Sequence, residues 1–145
     1  EVVYKDSVQY SYKLDNTGVK AVLTGNRQIA TPLNYKRISD YLKLLDNLFC
    51  TGFEDTYIYK DSIVKSGRQL ATVFIKRKAV PAQQMTFYFT PVSQGTKKAI
   101  NIGGKEYDYD QFFGLLNQKD FVQLSRKTTE KILRSYPEFY QMNAD

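Results

Sequence analysis

Residues 70–90 read LATVFIKRKAVPAQQMTFYFT and decide the fold, because they hold two β-strand patterns separated by a short connection. Side chains alternate between the two faces of a strand, so every second residue shares a face. The first pattern, Leu70–Lys78, places these residues on one face: Ala71, Val73, Ile75 and Arg77. The second pattern, Gln84–Thr90, stops at Pro91, and its apolar face holds Met85, Phe87 and Phe89. Two such runs predict an antiparallel pair whose apolar faces point inward.

Further strand patterns lie on both sides of this pair. Apolar and polar residues alternate over Val8–Leu14, turn residues follow, and Val19–Thr24 is predicted to return as the second strand of a hairpin. Tyr57–Val64 is predicted to be extended. Downstream, Lys98–Ile102 and Lys105–Tyr107 flank Gly103-Gly104, a pair typical of a tight hairpin turn.

Three helices are predicted. The first runs over Pro32–Phe49 after the capping hydroxyl of Thr31, and its apolar residues recur at helical spacing: Ile38, Tyr41, Leu42, Leu45, Leu48 and Phe49. We interpret this stripe as core rather than as a docking face for a partner. A second helix is predicted to begin at Asp108 or Asp110, with Tyr109, Phe112, Phe113, Leu115 and Leu116 as its apolar side. A third is predicted somewhere between Asp120 and Tyr136, before Pro137.

These elements predict one α+β domain over residues 1–145. Strands joined by short turns favour a curved, mainly antiparallel sheet, with the amphipathic helix and the two C-terminal helices packed on one face. A sheet wrapped round helices, as in an NTF2-like cone, would suit the 12 Tyr and 9 Phe. This is an analogy of fold alone, since no motif carries the family.

Histidine is absent and Cys50 is the only cysteine. Zinc sites of Cys and His, and hydrolases with a histidine base, therefore cannot be assembled within this chain. The remaining candidates for metal chemistry are two acidic clusters, Glu54-Asp55 and the set Glu106, Asp108 and Asp110. Because the second cluster stands where a helix is predicted to begin, we interpret its carboxylates as helix caps. The sequence thus predicts a protein that is not an enzyme, with no catalytic residues, metal or cofactor.

The net charge of +6 is unevenly distributed. Residues 61–105 hold eight Lys and Arg against Asp61 alone, whereas residues 106–145 hold five against seven Asp and Glu. The excess positive charge is therefore predicted to lie on the central strands, and the acidic charge on the C-terminal helices.

The alternation of side chains along these strands predicts where the positive charge is exposed. The outer face of the sheet is predicted to show Phe74 and Tyr88 beside Lys76 and Lys78, with Arg77 at the hairpin end. We take this as a basic face that binds an acidic protein partner or docks the domain into a larger assembly, such as an envelope machine or a virion. A single-stranded nucleic acid is the alternative partner, since bases stack on rings and cations meet phosphates. A third interpretation is that the rings are packed on both sides and the lysines are solvated edge charges.

No apolar run approaches the length of a membrane span. The chain begins at Glu1 without Met, which predicts a trimmed or processed product. The compartment stays open between cytoplasm, cell envelope and virion, as does the oligomeric state.

Overall fold

A computed structural model describes residues 1–16, 21–25, 28–29, 31–48 and 60–140. Eight strands are formed in this part of the chain: β1 Val2–Tyr4, β2 Tyr12–Asn16, β3 Ala21–Gly25, β4 Gln69–Ile75, β5 Gln83–Pro91, β6 Ala99–Ile102, β7 Lys105–Leu116 and β8 Asp120–Ser125. The α-helices are α1 Tyr35–Leu48, α2 Lys60–Ser66 and α3 Arg126–Ile132. Two short 3-10 helices cover Val8–Tyr10 and Tyr136–Phe139.

All strands belong to one open antiparallel sheet, in the order β3-β2-β1-β4-β5-β7-β6, and β8 pairs with the second half of β7. The predicted α+β class with an antiparallel sheet is confirmed. The central strands β4 and β5 are an antiparallel pair, as predicted, and residues of the two predicted inner sets lie opposite each other: Val73 pairs with Met85 and Ala71 with Phe87.

The larger core lies between one face of the sheet and α1. Val73, Met85 and Phe87 are fully buried there, as the alternation predicts, and they pack with Ile38 and Leu45 of α1. The stripe on α1 is therefore core, as far as its described side chains show. Ile132 of α3 belongs to the same cluster, so α1 and the C-terminal helix share this inner face of the sheet.

A second, smaller core covers the other face of the sheet. Tyr88 is the neighbour of Phe87, so alternation turns its ring to the opposite side. There it packs with Phe113, Leu115 and Phe121 and with Ile63 of α2. The helix α2 is an addition to the predicted architecture: residues 60–64 were expected to be extended, and that prediction is wrong. Asp61 in its first turn and Lys65 in its last turn complement the helix dipole.

The predicted helix over 108–116 is also wrong, because these residues continue β7. The run Phe112–Leu116 is buried throughout, since the strand is covered on both faces. A strand buried on both sides loses its alternation and reads as a continuous apolar run, which periodicity cannot distinguish from a helix.

The other predicted elements are confirmed with shifted bounds. The N-terminal hairpin is β2–β3, but its first strand begins at Tyr12 because Val8–Tyr10 is a 3-10 turn. The helix α1 begins after Asn34, whose Oδ1 accepts a hydrogen bond from the Arg37 amide, and not at Pro32. The last helix is α3, capped by the Ser125 hydroxyl, and it occupies only part of the range in which it was predicted, because Asp120–Ser125 forms β8. The predicted Gly103-Gly104 turn connects β6 and β7, with φ of +60° and +85°.

Several predictions fall on residues outside the described part: the start of the second hairpin strand, Phe49, Cys50 and Glu54-Asp55. Within the described part, no helix has the length and apolar character needed to cross a lipid bilayer.

Candidate anion-binding end of the sheet

Two groups of cations from residues 61–105 lie at the two ends of β4, and Lys97, Lys98 and Lys105 lie beside β6. Lys76, Arg77 and Lys78 follow the last residue of β4, and we call them the basic end. Lys65 and Arg68 precede the first residue of the same strand. The six residue steps along β4, at about 3.3 Å each, keep the two groups at least about 20 Å apart. The positive charge of residues 61–105 therefore does not form one basic face. The two groups of cations at the ends of β4 have different surroundings.

At the basic end, two of the three cations are free. Lys76 and Lys78 are exposed, and neither pairs with a carboxylate among the described residues. Arg77 differs, since its Nη2 lies 3.2 Å from Oδ1 of Asp46 on α1. This contact holds the β4–β5 connection to the helix, so Arg77 has a structural partner already. Of the predicted cations, Lys76 and Lys78 are the ones available to an anion.

The two predicted rings have different surroundings. Phe74 is 40% exposed, whereas Tyr88 is 4% exposed. The prediction that Tyr88 lies open beside Phe74 is wrong, because Ile63 of α2 and the rings on β7 and β8 cover it. Burial also raises the pKa of the Tyr88 hydroxyl. Phe74 and Tyr88 therefore do not form a platform on which two bases could stack.

A cleft of about 840 Å³ opens beside the basic end, between α1 and the inner face of the sheet. Its floor is apolar and includes Val73, Ile75 and Leu45. Its rim is polar and carries Lys76 together with Lys13, Gln83, Gln84, Asn117 and Gln118, and also two acidic residues, Glu1 and Asp15. Asp15 Oδ2 lies 3.8 Å from Lys13 Nζ, so Lys76 is the lysine of the rim that has no carboxylate partner among the described residues. Volume, apolar floor and a few polar rim groups are the usual features of a binding pocket. Sequence reasoning missed this cleft because its walls come from strands and a helix far apart in the chain.

Two buried tyrosines stand at the back of the cleft. The Tyr12 hydroxyl donates to the Tyr41 hydroxyl at 3.1 Å, and the Tyr41 hydroxyl donates to the Ile132 carbonyl at 2.6 Å. Burial raises the pKa of Tyr41 to about 12, although the hydrogen bond from Tyr12 opposes the shift. Burial also raises the pKa of Tyr12, well above its ordinary value. Both hydroxyls therefore stay neutral at physiological pH, and they fix α1 against the sheet and α3.

A different set of rings and cations meets at the opposite end of the sheet. The Tyr109 ring centroid lies 4.0 Å from Lys98 Nζ and 3.8 Å from Arg126 Cζ, and Lys105 Nζ lies 5.7 Å from the Tyr107 centroid. Here the cations are engaged with rings of their own chain. The wrong helix prediction hid this set, because it placed Tyr107 and Tyr109 on different elements.

The acidic cluster of β7 does not cap a helix, so that interpretation is wrong. Asp108 is buried, and its carboxylate accepts hydrogen bonds from the Thr96 hydroxyl at 3.2 Å and the Asp110 amide at 2.8 Å. It orders an irregular stretch where the pairing of β5 with β7 shifts register. The described residues contain no group of three or more metal-ligating side chains.

The predicted acidity of the C-terminal helices is also wrong. The helix α3 carries Arg126, Lys127 and Lys131 against Glu130, so it is basic. Much of the acidic charge of residues 106–145 lies on the strands, at Glu106, Asp108, Asp110 and Asp120. Positive charge is therefore found on α3 as well as at the basic end.

No family model, no curated protein and no solved structure matches the chain. The NTF2-like cone therefore stays an analogy, and function has to be argued from the site itself.

Proposed function

We propose that this protein is a non-enzymatic binding module that holds an acidic segment of a protein partner at the basic end. Carboxylates of the partner meet Lys76 and Lys78, and an apolar side chain of the partner enters the cleft next to Lys76. The single observation that carries the proposal is that Lys76, which has no carboxylate partner among the described residues, lines a cleft with an apolar floor.

Three features support an acidic, partly apolar partner. Lys76 and Lys78 are exposed and unpaired within the described chain, so an incoming carboxylate does not have to displace another. Phe74 is 40% exposed near the end of β4 and is among the residues that line the cleft, so it offers apolar surface close to Lys76. The ion pair between Arg77 and Asp46 restrains the connection that carries both lysines, although an exposed pair of this kind contributes little. A restraint of this kind lowers the entropy lost on binding.

Single-stranded nucleic acid remains the alternative partner, and the structure gives it less support. Such sites stack successive bases on aromatic rings, and stacking contributes roughly 1–3 kcal/mol per base. Only Phe74 of the two predicted rings is exposed. A protein partner needs the charges and the cleft but no second ring.

The test compares two variants with the same change in charge. Lys76→Gln/Lys78→Gln removes the free charges of the basic end, and Lys65→Gln/Lys97→Gln removes two exposed charges of the same segment at the opposite end. The probe is a fluorescein-labelled peptide of alternating Glu and Leu, titrated by fluorescence anisotropy at several salt concentrations. A labelled oligothymidylate is titrated in parallel.

We expect the first variant to weaken peptide binding by about 2- to 30-fold, because exposed ion pairs contribute roughly 0.2–1 kcal/mol each. The control should bind like the unmodified protein. Equal weakening in both variants would mean that only net charge matters, and would refute a site at the basic end. Tight oligothymidylate binding that depends on Phe74 would favour the nucleic-acid alternative.

A further inference from the structure

A second groove lies on the helical side of the molecule, between α1 and the segment that follows α3. It encloses about 720 Å³, and we call it the α1–C-terminal groove. Its apolar lining comes from Tyr41, Leu44, Pro137 and Phe139. Its charged lining comes from Arg37, Asp40, Lys131, Arg134 and Glu138. It shares Tyr41 with the cleft at the basic end, but no other lining residue.

The walls of this groove are fixed by contacts between distant parts of the chain. Arg37 Nη1 donates to the carbonyls of Glu138 at 2.8 Å and Tyr140 at 3.3 Å, so its guanidinium bridges the two walls near the start of α1. The Phe139 ring packs edge-on against Tyr12 and Tyr41, with centroids 5.0 and 5.3 Å apart. A groove that is bridged at one end and supported by core rings is a preformed pocket rather than a channel for a long peptide.

The charges around the groove leave an excess of positive charge. Its two carboxylates already have cationic partners: Asp40 accepts from Lys36 Nζ at 2.7 Å, and Glu138 Oε1 accepts from Arg134 Nη1 at 3.4 Å. The other oxygen of Glu138 accepts from the Ser135 hydroxyl at 2.7 Å. The bond from Lys36 also lowers the pKa of Asp40. Lys131, by contrast, pairs with no carboxylate in the described part of the chain. Arg37 donates to neutral carbonyls and keeps its full charge unmatched.

We propose that the α1–C-terminal groove binds a free amphipathic carboxylate, a small molecule with one carboxylate on an apolar body. The carboxylate lies against Lys131 and the guanidinium of Arg37, and the apolar body covers Leu44 and Pro137. The volume falls in the range of small-molecule pockets, roughly 300–1,000 Å³. The excess of positive charge around the groove favours an anionic ligand. The Arg37 bridge spans one end of the groove, which favours a short ligand over a peptide that runs along it.

The test uses two probes. Anilinonaphthalene sulfonate, an anionic aromatic dye that fluoresces in apolar surroundings, reports binding directly, and dodecanoate is then titrated to displace it. The decisive variant is Lys131→Glu, since Lys131 is exposed and its replacement should leave the fold intact. The matched control is Lys127→Glu, one turn earlier on α3, exposed and outside the lining. Measurements at 0.15 M salt limit the effect of the more distant charge, because the Debye length is then about 8 Å.

We expect one saturable site, with dodecanoate affinity weakened at least about tenfold by Lys131→Glu and changed less than about twofold by Lys127→Glu. Dodecanol, which lacks the charge, should displace the dye much less well than dodecanoate. Equal displacement by dodecanol, or equal effects of the two variants, would overturn the proposal. If only Lys76→Gln/Lys78→Gln weakened dodecanoate binding, the ligand would lie in the cleft at the basic end. That result would also overturn the proposal for the α1–C-terminal groove, and it would leave the function proposed for the basic end standing.

Discussion

Two hydrogen bonds link the Tyr12 hydroxyl to the Tyr41 hydroxyl and the Tyr41 hydroxyl to the Ile132 carbonyl. From this arrangement we predict that the loss of the two hydroxyls lowers the free energy of unfolding by unequal amounts. Tyr41→Phe removes the group that donates to the Ile132 carbonyl and accepts from Tyr12. It leaves a carbonyl at the end of α3 and a buried hydroxyl without partners, which should cost about 2–3 kcal/mol. Tyr12→Phe removes only the outer donor, and Tyr41 keeps its bond to Ile132. That variant should cost about 1 kcal/mol.

The same tyrosines contribute to the response of the protein to alkaline pH. A tyrosine whose pKa is raised in the folded state keeps its proton while the unfolded state loses it, so its contribution to stability is complete below pH 10 and declines as the pH rises further. The pKa of Tyr41 is raised from 10.0 to about 12. Between these values the free energy of unfolding should fall by about 1.4 kcal/mol per pH unit for each such group.

Urea unfolding, followed by far-UV circular dichroism at pH 8, 10 and 11, measures both effects. Lysines titrate in every variant, so the difference in slope between wild type and the double variant Tyr12→Phe/Tyr41→Phe isolates the tyrosines. The double variant should lose less stability above pH 10 than the wild type. Equal slopes, or a cost for Tyr12→Phe as large as that for Tyr41→Phe, would refute the assignment of donors along this chain.

Two further predictions concern packing. A Cβ at Gly25 would overlap the ring of Tyr136, so Gly25→Ala should destabilise by about 1–3 kcal/mol, whereas Gly95→Ala, whose Cβ meets only the Ser93 hydroxyl at 4.0 Å, should have little effect in the same thermal melts. Leu45→Ala should cost about 2–5 kcal/mol in urea unfolding, since Leu45 is buried in the core beneath α1. An unchanged urea midpoint would show that this side of α1 faces solvent.

The sequence predicts the fold best where apolar residues alternate along a strand. The inner set of β4 and β5 follows this alternation, and its members Val73, Met85 and Phe87 are buried as expected, although β5 is covered on both faces. The sequence predicts the fold worst where a strand covered on both faces has no polar residues to mark the alternation. The run Phe112–Leu116 has no alternation to detect, so a strand was taken for a helix, and the rings of β7 went unrecognised.

The candidate site could be predicted only in part, because the sequence reports local properties of a segment and not its contacts with distant segments. Lys76 and Lys78 follow a strand end, and their exposure is a local property that the sequence carries. The pairing of Arg77 with Asp46 and the burial of Tyr88 beneath α2 depend on contacts between segments far apart in the chain. No pattern within one segment reports such contacts. The two clefts were missed because each is made from at least two distant elements.

The location of an acidic peptide on the protein tests the central claim most directly. Amide chemical shifts of the ¹⁵N-labelled protein, followed during titration with the Glu-Leu peptide, give that location residue by residue. We predict that the largest changes cluster on Phe74–Lys78, Gln83, Gln84 and the Asn117-Gln118 turn. Changes centred on Lys98–Lys105 instead, or small changes spread over every exposed lysine, would contradict a binding site at the basic end.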